Sequence, residues 1–190
     1  NSTTLWFINV IGLIFAGMDR FIIPSIANKS ILGSYYAISF IYLTGFTMLG
    51  STIGYVLFPY VSKNIKINWS IFVSLVSLTI IVLSIVLFFA GIPMVSFSFS
   101  TKYDNFLLPN IAIYMILLGI IQCVHTILHF YIYAVASRKQ LNRYIIFVIS
   151  LCIFYFLTFK IINIYIHYNF KDIILHILFI WVLKILYSLF

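Results

Sequence analysis

Asp19 and Arg20 stand side by side inside an otherwise apolar run from about residue 5 to residue 26. A charge at that depth of a membrane costs roughly 2.5–3.5 kcal/mol on insertion scales, and such residues face a protein interior or a water-filled cavity. The pair therefore points to a polar route through a bilayer. By helical rise Asp19 sits ~5 Å and Arg20 ~7 Å past the middle of that run. Adjacent helical residues point about 100° apart, so the two need separate partners or water. The competing reading is that each pairs with a neighbouring helix and only holds a bundle together.

Lys160 and Lys184 fall in later apolar runs, each within ~10 Å of a run's end, near enough for an ammonium to snorkel to the surface. Within the runs Arg20, Lys160 and Lys184 outnumber Asp19 by two positive charges. A surplus of buried cations is tolerable where an anion visits, and the guanidinium fork suits phosphate. His125 and His129 stand at i and i+4 with Gln122 one turn before, on one helical face. That spacing can hold a metal, but no carboxylate or Cys lies near in sequence and two ligands are too few. The expectation is a polar, interior-facing stripe with no metal and no cofactor. His176, Tyr42 and Tyr155 are further candidates for the same interior. No Gly-rich phosphate loop, paired carboxylates or nucleophile with an adjacent base appears, so no enzyme and no catalytic residue is expected.

The elements that must position these residues follow from composition. Of 190 residues, 64% are hydrophobic and 7% charged, against about 25% charged in a soluble domain. Runs such as residues 71–91 do not alternate apolar and polar positions, which excludes a transmembrane β-barrel. The +8 net charge lies mostly between the apolar runs, leaving no basic patch large enough for nucleic acid. Cys123 and Cys152 fall inside apolar runs and read as small hydrophobes.

The predicted fold is an all-α polytopic membrane bundle of six spans, at about 5–26, 34–58, 70–91, 107–136, 144–166 and 173–190, each near the ~20 residues that cross a bilayer. Pro24 bends or ends the first span, and Pro109 falls in the first turn of the fourth, where proline is tolerated. The loops after spans two and four hold Lys63, Lys66, Arg138, Lys139 and Arg143; those after spans one, three and five hold Lys29, Lys102 and Lys171. The excess of cations places the N-terminus of the chain in the cytoplasm. Asn9, Gly12, Ala16 and Asp19 form one stripe of the first span, and Thr47, Gly50, Ser51 and Gly54 follow a four-residue step in the second. Small residues so spaced either seat a neighbouring helix or line a cavity. The chain starts at Asn1 and stops at the end of its last apolar run, as a fragment of a longer protein would.

Asp19-Arg20-Phe21-Ile22-Ile23, followed by Leu32-Gly33-Ser34-Tyr35-Tyr36-Ala37, resembles the opening of the C-terminal half of bacterial oligosaccharide flippases. These belong to the multidrug/oligosaccharidyl-lipid/polysaccharide exporter superfamily. There a D-[RK] pair within one helix precedes a G-x-Y-x-x-A element opening the next. Leu57-Phe58-Pro59-Tyr60-Val61-Ser62 is similar to the family's l-f-P-x-l-s helix exit. Lys102-Tyr103 matches its f-G-x-x-Y element without the Gly, and Ala136-Ser137-Arg138-Lys139 resembles its short cytoplasmic turn.

The resemblance implies one lobe of a twelve-helix transporter in the bacterial cytoplasmic membrane, with an N-terminal six-helix lobe as its missing partner. It implies translocation of a polyprenyl-diphosphate-linked oligosaccharide by alternating access, for surface polysaccharide such as O-antigen, beside membrane lipids and a polysaccharide polymerase as candidate partner. Asp19 and Arg20 are the positions that match the charged motif; Lys160, Lys184, His125 and His129 stand on the charge and polarity arguments alone. The alternatives are a cation-coupled multidrug exporter of the same superfamily, for which Asp19 is the lone carboxylate in a span, and a non-transporting membrane assembly subunit.

Overall fold

The computed structural model describes residues 2–25, 29–99, 109–165 and 170–189. Among them every element is helical: α1 (Ser2–Ala16), α2 (Met18–Ile22), a 3-10 turn (Ile23–Ser25), α3 (Lys29–Ser62), α4 (Trp69–Phe99), α5 (Pro109–Val135), α6 (Arg138–Tyr165) and α7 (Phe170–Leu189). Four helices are long and apolar enough to cross a membrane, at Leu32–Ser62, Trp69–Phe99, Ile111–Val135 and Arg138–Ile161. With no water to satisfy a bare backbone in hydrocarbon, continuous helices are the open-chain way across. Lys102, Tyr103 and Asp104 lie outside the described residues.

The expected first span is not one helix. Gly17, at φ −98° and ψ 5°, leaves the α-helical region, so α1 stops at Ala16 and α2 starts afresh at Met18. The stripe running from Gly12 through Ala16 to Asp19 is therefore interrupted one residue after Ala16; the side chain of Asn9 is outside the described residues.

Helix ends elsewhere obey local chemistry. At the start of α6 the Ser137 amide donates to Gln140 Oε1 (2.8 Å) and the Gln140 amide donates to Ser137 Oγ (3.4 Å), the reciprocal arrangement of a capping box. The Ile71 amide donates to Asn68 Oδ1 (3.3 Å) at the start of α4. The C-terminus of α3 closes with Asn64 at φ 53°, a left-handed position that Asn tolerates. Pro59 lies inside α3, in its last turn, where it removes one backbone hydrogen bond shortly before the helix ends.

The helices are joined through α3 and α5, the most extensive pair; α7 packs on α5, α1 on α6, and α4 on α3. Glycines set the α3–α5 approach. A methyl added at Gly50 would sit 2.8 Å from the Cys123 carbonyl oxygen, one at Gly54 would enter the Phe130 ring, and one at Gly119 the Phe46 ring. Gly50 and Gly54 thus take the helix-contact role, while Thr47 and Ser51 turn to a cavity. α4 is the most peripheral: within it only Leu87, Gly91 and Val95 are buried, at four-residue spacing. Its other faces are large, exposed hydrophobics such as Leu75, Ile81 and Phe89, as for a helix solvated by lipid.

Gly50→Ala is expected to lower the thermal midpoint of the detergent-solubilised protein, because overpacking a tight contact costs roughly 1–3 kcal/mol. Gly12→Ala, whose added methyl meets open space, is expected to leave the midpoint unchanged or raise it. Indistinguishable midpoints for the two would remove Gly50 as the determinant of the α3–α5 distance.

Candidate functional site

The break at Gly17 swings α2 against the start of α3, and this is where the charged pair finds its partners. The Tyr35 hydroxyl donates to Asp19 Oδ2 at 2.5 Å, and the Arg20 amide donates to Asp19 Oδ1 at 2.9 Å. The Arg20 carbonyl accepts from the Tyr36 hydroxyl at 3.1 Å. Asp19 and Arg20 do not pair with each other through their side chains; the carboxylate is tied to buried Tyr35 and the guanidinium is exposed.

Both line a cavity of about 840 Å³ walled by Ala16, α2, α3, α5 and α7, within the few-hundred to ~1,000 Å³ range of small-molecule sites. On α3 the wall includes a stripe at four-residue spacing, Tyr35, Ser39, Leu43, Thr47 and Ser51; α5 adds Gln122 and Thr126, and α7 adds Trp181. Four of its hydroxyls give their protons to their own helix: Ser39 to the Tyr35 carbonyl (2.5 Å), Thr47 to Leu43 (3.1 Å), Ser51 to Thr47 (2.8 Å) and Thr126 to Gln122 (2.8 Å). A hydroxyl that donates to its backbone keeps its lone pairs for the cavity. These four hydroxyls therefore present acceptors on the wall that also carries the Arg20 guanidinium.

Of the expected site residues, the cavity takes in Asp19 and Arg20. Lys184, His125 and His129 form a second, buried group. Lys184 is 2% exposed, with its ammonium 3.9 Å from the Phe15 ring centre and 4.9 Å from that of Trp181. These are cation–π contacts, and snorkelling is excluded at this burial. The Tyr144 hydroxyl lies 3.2 Å from His125 Nε2 and 3.5 Å from His129 Nδ1. Lys160 lies elsewhere on α6, exposed, with its ammonium 5.8 Å from the Phe156 ring centre, so it takes the surface alternative and does not line the cavity. His176 hydrogen-bonds Thr158 (3.1 Å) and stacks on Tyr155; Tyr42 packs on Gly91.

Sequence reasoning missed Tyr35 as the partner of Asp19, Tyr144 as the bridge between the histidines, and Trp181 as the wall between the two groups. One signal was available: the step marked by Thr47 and Ser51 continues backward through Ser39 to Tyr35. Tyr144 and Trp181 come from other helices, and no spacing announces them.

No protein-family model, curated protein or solved structure matches the chain, so its function is argued from its own residues.

Tyr35→Phe is expected to destabilise the protein by about 1.5–3 kcal/mol, the range for a hydrogen bond to a charged group. Asp19→Asn should cost a comparable amount, and the double variant less than the sum of the two in thermal unfolding. Strict additivity would show that the two side chains do not act as a pair.

Proposed function

We propose that this chain is one six-helix lobe of a bacterial flippase, carrying a polyprenyl-diphosphate-linked oligosaccharide across the cytoplasmic membrane. The first and sixth spans of that lobe are α1–α2 and α7, its N-terminus is cytoplasmic, and a second lobe completes the transporter. One observation carries the reading: the charged pair that matches the flippase motif opens onto the acceptor-lined cavity of α3.

Each part of such a substrate meets a suitable group. The sugar hydroxyls are donors, and the stripe from Ser39 to Ser51 offers acceptors; the diphosphate is an anion, and Arg20 is the exposed cation at the same wall. The polyprenyl chain stays in lipid, beside apolar faces such as that of α4. Moving the polar part across ~30 Å of hydrocarbon needs this cavity to face first one side and then the other, by rocking of the two lobes. Asp19 is the cavity's sole carboxylate among the described lining residues, and its bond to Tyr35 leaves it poorly disposed to neutralise a cationic drug.

In cells that depend on the intact protein, Arg20→Glu is expected to abolish surface glycan, and Arg20→Lys to reduce it by about tenfold, the equivalent of ~1.4 kcal/mol. Loss of drug resistance with normal glycan would favour a multidrug exporter. No change in either, with the protein still folded in the membrane, would favour an assembly subunit.

A further inference from the structure

A second recess, of about 400 Å³, opens between the end of α5, the start of α6 and the end of α7, with Gln140, Arg143, Tyr187 and Ser188 in its wall. A separate groove, of about 450 Å³, runs between α3, α4 and α5; apart from Ser77 and the polar tips of Trp69 and Tyr131, its lining is hydrocarbon. The two meet at Tyr131, which lines both. On α5 they follow one stripe: Val124 and Leu128 in the groove, Tyr131 shared, and Val135 in the recess. Steps of four, three and four keep these residues on one helical face. The Trp69 ring meets Tyr131 edge-on with centres 6.0 Å apart, and Trp and Tyr mark the headgroup level of membrane helices. The recess therefore lies on the headgroup side of that pair and the groove on the hydrocarbon side. From Trp69 to Ile80 the groove follows α4 for ~16 Å by helical rise, about one leaflet of a hydrocarbon core ~30 Å thick.

The recess also stands at the cationic end of the bundle. α3 and α5 run parallel, since Gly50 faces Cys123 and Gly54 faces Phe130, so the turns that follow them share an end. Lys63, Lys66, Arg138, Lys139 and Arg143 gather there, all exposed. Asp19 is tied to Tyr35 near the start of α3, at the other end. Asp172 is at that other end too, since the neighbouring Lys171 has its ammonium 5.4 Å from the ring centre of Tyr114, near the start of α5. No Asp or Glu occurs between residues 20 and 103 or between 105 and 171.

The geometry points to a binding site for one anionic membrane phospholipid, its phosphate in the recess beside Arg143 and one acyl chain in the groove between α3, α4 and α5. A guanidinium presents a fork of N–H donors that matches phosphate oxygens. Gln140 adds donors: its Oε1 accepts from the Ser137 amide (2.8 Å) and hydroxyl (2.9 Å), so the rest of its amide is an NH2 group with protons to give. With five cations and no carboxylate at this end, the phosphate offsets a charge that the protein leaves unbalanced, and basic pockets between membrane helices take anionic headgroups on this principle. The tail follows from length and lining: a single acyl chain crosses one leaflet, and the groove offers it that reach among apolar side chains. The order along α5, cation, aromatic pair, hydrocarbon, is the order of groups in the lipid. The site needs only the membrane-spanning helices α3 to α6 and the end of α7, and is independent of what the Asp19/Arg20 cavity carries.

Native mass spectrometry of the intact, detergent-purified protein titrated with phosphatidylglycerol or phosphatidylcholine tests the site. One phosphatidylglycerol should be retained about tenfold more tightly than phosphatidylcholine, as for a charge-assisted hydrogen bond. Arg143→Gln should bring the two lipids to within about twofold of each other, with phosphatidylcholine binding unchanged as the sign of an intact fold, and Arg143→Lys should keep most of the preference. Val76→Trp, which fills the groove, should weaken both lipids together. Lys160→Gln, which removes an exposed cation ~33 Å further along α6 by helical rise, should leave the preference as it was. Equal retention of the two lipids in the unaltered protein, or an unchanged preference in Arg143→Gln, would overturn the site. An equal loss in Lys160→Gln would overturn it in favour of diffuse charge attraction. Phosphatidylglycerol binding that ignores Val76→Trp but is displaced by millimolar inorganic phosphate would replace it with a bare anion site. A lipid-free pair of chains as the main species would assign the groove to a second copy.

Discussion

A polar group inside hydrocarbon must find its hydrogen-bond partner within the protein or in water that the protein admits. Among the described residues the Tyr42 hydroxyl is buried without a partner; the polar residues around the cavity obey the constraint, and the architecture follows from how they do so. Ser39, Thr47, Ser51 and Thr126 return their protons to their own helices, so they demand no partner from another element. Asp19 cannot do this, because a carboxylate offers only acceptors. The Arg20 amide serves one of its oxygens, and Tyr35 serves the other from α3, where the break at Gly17 turns α2 out of the line of α1.

The same constraint gives α3 two working faces. Gly50 and Gly54 bring it against α5 until backbone and ring atoms touch, which serves where apolar side chains gain nothing over lipid tails and close packing supplies the attraction. About a quarter-turn away, Thr47 and Ser51 keep a polar recess open. The close contact fixes the wall, and the wall holds the cavity in place. A cavity bordered by freely sliding helices would collapse, since no other force here keeps polar walls apart.

How much of this could be read from the residues depends on the range of the interaction. Spans two to five were legible, because twenty or more apolar residues leave the backbone no choice but a helix. The Asp19–Arg20 pair was legible as a polar site because its cost in lipid is large, and the two faces of α3 were present as a four-residue step. The break at Gly17 was not, since a single glycine inside an apolar run is common in membrane helices and bends few of them. Lys160 and Lys184 were indistinguishable by depth. What separates them is a neighbour: Phe15 and Trp181 enclose Lys184, while Phe156 lies beside an exposed Lys160. The Tyr144 bridge joins residues fifteen and nineteen positions apart on different helices, beyond the reach of any periodicity.

Trp181 stands between the Asp19/Arg20 cavity and the group of Lys184 and His125. One side of its ring borders the cavity, and the ring also meets the Lys184 ammonium and the edge of His125. An indole is suited to that place: its face satisfies a cation without bringing a negative charge, and its bulk denies water a continuous column. An aspartate there would instead neutralise Lys184 through a salt bridge. A ring that is apolar in bulk and weakly attractive at its face borders the cavity on one side and holds the Lys184 ammonium without a counter-charge.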